Sequence, residues 1–217
     1  MREQTRIDSG VVRRWPSLAA RRWFEAFADS AASDSNVLAL IAVGSAVRSN
    51  VQSDDLDLVV VCRNRKLFRC RAPVEVDVHA FEAAQLETML SSGHPLLGWA
   101  VRLGRAVFDR HGYWRDFRRT WHEKVPLPDP ALARHRAARV ARYLDTVREM
   151  GDEAAASELN LSYLTLLARA MLSEHRVYPA SRPELPDQLR AVGEAPLADQ
   201  LEAALRERSN LVTRQVG

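Results

Sequence analysis

The chain has 217 residues, 47% of them hydrophobic and 27% charged, with a formal net charge of +3. That is the balance of an ordinary folded protein of one or two domains. The longest uncharged run, residues 35–47, is too short to span a bilayer, and the two cysteines, Cys62 and Cys70, do not suggest a disulfide framework or a zinc site.

The N-terminus is polar, with no apolar stretch before Arg13 and Arg14, so the expectation is a reduced, cytoplasmic protein with no membrane partner. Lysine occurs only at Lys66 and Lys124; the rest of the 31 basic residues are arginine. Guanidinium groups are therefore plentiful for phosphate contacts, while a charge of +3 permits nucleic-acid binding without establishing it.

After a polar lead over 1–10, apolar residues at helical spacing (Leu18, Ala19, Trp23, Phe24, Phe27, Ala28) predict a helix over 17–33. Residues 37–43 are continuously apolar and read as a strand, and 45–50 as a turn or short helix. Strands are expected over 56–62 and 74–80. The basic link between them, RNRKLFRCR over 63–71, reads as a hairpin connection or as a rim for a polyphosphate or acidic acceptor. Helices follow over 82–92 and 95–103, then a short strand over 104–109 and a helix over 113–124. Three prolines within 125–130 mark a boundary, dividing the chain into 1–125 and 126–217. Beyond it the pattern is helical throughout. Asp129 and Pro130 start a helix that runs to 150. Further helices are expected over 153–176, 183–192 and 196–208. The fold class is α+β: a small mixed sheet flanked by helices, followed by an all-helical bundle.

Residues 37–57 carry the chemistry. An apolar strand ends in Gly44-Ser45, and Asp55-Leu56-Asp57-Leu58 opens the next strand. Alternate strand residues share a face, about 6.6 Å apart, so Asp55 and Asp57 point one way and Leu56 and Leu58 the other. Asp77 is expected to point inward from the third strand, where an isolated carboxylate is out of place. Paired carboxylates suit Mg²⁺ that also binds substrate phosphates. Gly44 lets the backbone approach a phosphate closely, and Ser45 adds a hydroxyl and an amide donor.

Val43-Gly44-Ser45, Asp55-Leu56-Asp57-Leu58 and Asp77 together resemble the motif set of the DNA polymerase beta-like nucleotidyltransferase superfamily. Gly44-Ser45-Ala46-Val47-Arg48 is similar to the turn of its minimal nucleotidyltransferases and antibiotic adenylyltransferases. The resemblance spans about residues 36–110. It implies transfer of a nucleoside monophosphate from a nucleoside triphosphate, ATP foremost, to a hydroxyl, with release of pyrophosphate, in a cleft between the two domains. It implies that Asp55 and Asp57, with Asp77 as a third ligand or as the base, hold two Mg²⁺ ions. Gly44, Ser45 and Arg48 would take the triphosphate. The acceptor is a small molecule, a protein or a tRNA, and a homodimer stays open.

Other residues come into consideration. Glu75 and His79 share strand parity with Asp77. Glu153 and Glu158 lie near the start of the long second-domain helix. The resemblance to the antibiotic adenylyltransferases implies that a helical-domain glutamate can act as base, without selecting either over a solvated helix face. Two other readings remain: a non-catalytic antitoxin or regulatory module on the same fold, and a HEPN-type ribonuclease through Arg169 and His175, which fit the spacing R-x5-H.

Overall fold

Seven consecutive apolar residues form strand β1, Val37–Val43, and every one of them is buried. Such a strand needs cover on both faces, and the fold around it supplies that cover. The structure is a computed structural model that describes residues 7–48 and 55–216, with side chains as far as residue 208. The chain divides into two compact units, Met1–Pro126 and Leu127–Gly217.

In the first unit β1 lies inside a four-stranded sheet of order β3-β2-β1-β4. Strand β2 (Leu56–Cys62) and strand β4 (Arg105–Asp109) both run antiparallel to β1, whereas β3 (Val76–Glu82) runs parallel to β2. One sheet face presents Leu40, Ala42, Leu58 and Val60 to helix α1 (Leu18–Ser33), which contributes Ala20, Phe24, Ala28 and Ala31. Helix α1 starts where Ser17 accepts a hydrogen bond from the Ala20 amide at 3.0 Å. On the other face lie α3 (Pro95–Leu103) and α4 (Tyr113–Trp121), both packed on β1. Gly104 follows α3 because no side chain fits there: a Cβ would stand 2.8 Å from Cγ2 of Ile41 and 2.5 Å from the Ala100 carbonyl. The short helix α2 (Leu86–Ser91) precedes α3.

Three expectations about this unit change. The Arg63–Glu75 link is a crossover between parallel strands and not a hairpin. Its basic residues are largely tied to the backbone. Arg63 Nε donates to Ser35 O at 3.3 Å, Arg65 Nε to Ala80 O at 3.0 Å, and Arg69 to Lys66 O and Phe68 O. Phe68 anchors the link in the core beside Phe27. Strand β3 starts two residues later than its apolar pattern predicts. A turn in which the Val76 amide donates to Pro73 O holds Val74 out at 96% exposure. It also ends later, since Glu82 is its last residue and a 3-10 turn, Ala83–Gln85, separates it from α2. Of the turn expected over 45–50, Ser45–Val47 forms one 3-10 turn; residues 49 and 50 lie outside the described residues.

The second unit is all helical: α5 (Pro130–Glu149), α6 (Glu153–Glu174), α7 (Leu185–Ala191) and α8 (Ala195–Val216). Asp129 caps α5, accepting from the Ala131 amide at 2.9 Å, with Pro130 in the first turn. Helix α6 is the hub, in contact with α5, α7 and α8. Its Leu161, Leu164, Ala168 and Leu172 pack with Leu185, Leu189, Ala198 and Leu201. Among the described residues no helix is long and apolar enough to cross a membrane.

Candidate functional site

The Gly44 turn has a conformation that leaves little choice of residue. Its φ is +80° and ψ −164°, a region essentially confined to glycine. The turn is held from behind, where the Arg13 and Arg14 amides donate to Ala46 O at 2.7 and 3.1 Å. Ala46 and Val47 are buried beneath it, and the Arg48 amide closes it onto Ser45 O at 3.0 Å.

Sheet register brings the acids to this turn. Asp57 stands opposite Val43 on β1 and opposite Asp77 on β3. Pairing of Asp57 with Asp77 in a parallel ladder places both on the same sheet face, and Leu56 and Leu58 take the opposite, core-facing side. The Asp57 carboxylate lies against the turn: a Cβ on Gly44 would stand 2.8 Å from its Oδ2. Asp57 is half-buried, and Asp55, just before β2, is exposed. Burial first, then the charges of Asp55 and Asp77, push the Asp57 carboxyl up from 3.8 to about 6. The charges of Asp55 and Asp77 thus reach the Asp57 carboxyl.

Asp77 differs from expectation in one respect. It is exposed and not inward. Strand β3 is the edge of the sheet, where a charged side chain is well tolerated, so its position alone no longer marks it as out of place. What sets it apart is its register with Asp57. Among the described residues no three His, Cys, Asp or Glu side chains are grouped so as to hold a metal ion by themselves. The donor set is nonetheless of the right kind for Mg²⁺, which binds through one or two carboxylates together with water and substrate phosphates. A divalent cation would favour the charged form of Asp57 against its burial and against the neighbouring charges of Asp55 and Asp77.

Along the same face of β3 come His79, exposed, and Phe81. The Phe81 ring meets His94 edge-on at 5.2 Å. His94 caps α3 by accepting from the Leu97 amide at 3.4 Å, and burial, reinforced by His79, lowers its pKa. Only its place before Pro95 at a helix start marks His94 in the sequence. Glu75 precedes the strand, and its carbonyl accepts from the Leu56 amide at 2.8 Å.

Away from these residues, a depression of about 540 Å³ lies between β4 and α4, lined by Asp109, Trp114, Arg115, Arg118, Arg119 and His122 among others. Its basic side chains are engaged: Arg118 Nε donates to Val101 O at 2.9 Å, Arg115 and Arg119 lie 3.4 and 3.3 Å from Asp116, and His122 Nδ1 is 2.6 Å from Glu123.

The helical unit's candidates are occupied or separated. Glu158 accepts from Arg208 Nε at 2.5 Å, while Glu153 sits exposed in the first turn of α6. Six positions apart on helical backbone, Arg169 and His175 are turned about 120° from one another. The His175 ring faces Glu194, with Nε2 and Oε1 3.3 Å apart.

No family model and no curated protein matches this chain. Among solved structures it is similar to the nucleotidyltransferase-like protein from Exiguobacterium sibiricum 255-15, with 19% identity and a TM-score of 0.39, over 91% of this chain and 74% of that one.

Proposed function

We propose that the chain is a metal-dependent nucleotidyltransferase that moves a nucleoside monophosphate from a nucleoside triphosphate to an acceptor hydroxyl. The observation that carries this reading is the contact of the Asp57 carboxylate with the Gly44 turn, with Asp77 paired to Asp57 in the sheet. In the reaction the acceptor oxygen bonds to the α-phosphorus, the bond from that phosphorus to the α–β bridging oxygen breaks, and pyrophosphate leaves. The Gly44–Ser45 backbone and Arg48 would bind the β- and γ-phosphates. Asp55 and Asp57 would hold Mg²⁺, and Asp77 would complete the set or accept the proton of the acceptor hydroxyl. When bound, Mg²⁺ neutralises triphosphate charge and favours the deprotonated acceptor. ATP is the preferred donor in this proposal, and the acceptor is a small molecule, a protein or a tRNA.

Calorimetric titration of ATP, GTP, CTP and UTP in Mg²⁺ tests it, on the wild type and on Asp55→Asn/Asp57→Asn. The expected result is Mg²⁺-dependent binding of one nucleotide, lost in the double variant. Absence of binding by every nucleotide would overturn the reading in favour of a non-catalytic module.

A further inference from the structure

Helix α5 has two different outer faces. Toward α6 it buries Ala137 and Leu144 and turns Arg134 onto Glu174, whose two carboxylate oxygens lie 2.8 and 2.7 Å from its guanidinium. Well round the helix from that contact runs a second row, Leu132, Arg136, Arg139, Tyr143, Thr146 and Met150, all exposed. The spacing alternates four and three residues, which keeps the row on one stripe about 27 Å long. Of the six large apolar side chains left exposed among the described residues, three lie in this row: Leu132 at 46%, Tyr143 at 61% and Met150 at 76%. Arg136 and Arg139 occupy its centre and make no ion pair among the described residues, unlike Arg134. Arg142 adds a further positive charge on one flank.

We propose that this stripe docks an amphipathic α-helix of a partner protein, with apolar side chains at the two ends of its contacting row and carboxylates at the centre. The alternation of four and three is the repeat with which one helix packs along another. Leu132 and Met150 at the ends, with Tyr143 between, supply the apolar contact. Arg136 and Arg139 demand acidic partners, because desolvating a guanidinium without one is costly. Self-pairing is disfavoured by the same two residues, since a second copy would bring four guanidiniums into one seam and no carboxylate lies on the row. A nucleic-acid strand would use the arginines and Tyr143 but leave the aliphatic ends without a role.

The probes are two synthetic amphipathic helical peptides with leucine at the outer row positions, one with glutamate and one with lysine at the two central positions. Binding to the full chain is followed by fluorescence anisotropy, alongside oligo(U) RNA and sedimentation of the chain alone. The glutamate peptide should bind the wild type, with the lysine peptide at least about tenfold weaker. Arg136→Glu/Arg139→Glu should reverse that preference, and Tyr143→Ala should weaken both complexes. All three positions are exposed, and an unchanged circular dichroism melt checks that the variants fold. Binding of neither peptide, or equal binding of both, would overturn the proposal. RNA binding lost in Arg136→Glu/Arg139→Glu would assign the stripe to nucleic acid instead, and self-association lost in Tyr143→Ala would assign it to a second copy.

Discussion

Gly44 and Asp57 stand so close that a single added methyl group at Gly44 would lie 2.8 Å from the Asp57 carboxylate oxygen. The turn and the acid thus form one unit, built by the antiparallel pairing of Val43 with Asp57. Gly44→Ala would force an L side chain into a glycine-only conformation and displace Asp57. The expected cost is on the order of 2 kcal/mol of stability, with loss of Mg²⁺-dependent nucleotide binding. Urea unfolding and calorimetry measure the two effects separately, and a Gly44→Ala protein that binds nucleotide as the wild type does would remove the turn from the site.

The raised pKa of Asp57 makes a prediction with a definite sign. The folded carboxyl titrates at about 6, against a usual value of 3.8, so the folded state keeps a proton that the unfolded chain has released. The stability contributed by protonated Asp57 is full below about pH 4, falls as the pH rises to about 6, and is absent above. A two-unit shift corresponds to roughly 3 kcal/mol at most. Asp57→Asn should match the wild type near pH 4 and exceed it in stability at pH 7.5, while abolishing nucleotide transfer. Identical pH profiles for the two proteins would contradict this.

Magnesium addresses the same charge. At pH 7.5 added Mg²⁺ should raise the melting temperature of the wild type and leave Asp55→Asn/Asp57→Asn unmoved. Calorimetric melts with and without Mg²⁺ give the comparison, and an equal rise in both proteins would mean that the ion binds elsewhere.

Arg110 ties three segments together. Its guanidinium donates to Val37 O at 2.8 Å, Ala32 O at 2.8 Å and Asp34 O at 3.0 Å, joining the end of α1 to the start of β1. Arg110→Ala should cost roughly 2–3 kcal/mol. Arg110→Lys should recover only part of that, because one ammonium cannot reproduce the planar fork. Chemical unfolding midpoints would show the order wild type, Lys, Ala, and a lysine variant as stable as the wild type would refute the fork argument.

Asp109 caps α4 with both oxygens, accepting from the Trp114 amide at 2.7 Å and the Arg115 amide at 2.9 Å. Asp109→Ala should lower stability by about 1–2 kcal/mol, with Asp109→Asn intermediate. Equal midpoints for all three proteins in urea would show that the cap contributes nothing.

Several features of this protein were decided locally and were legible in the chain itself. The unbroken apolar run Val37–Val43 had to be a strand covered on both faces, Asp129-Pro130 had to start a helix, and helical spacing placed α1, α3 and α6 close to their observed limits. The α+β class and the candidate acids Asp55 and Asp57 follow from the same local pattern of periodicity and turn chemistry. Tertiary structure alone decided the direction of β3, because a chain segment of this length can return as a hairpin or cross over; in the crossover that forms, Phe68 of the link is buried in the core beside Phe27 of α1. That parallel pairing sets Asp77 beside Asp57 and also leaves it exposed on an edge. The contact of Gly44 with Asp57 likewise belongs to the pairing of two strands, a long-range relationship that no local periodicity encodes.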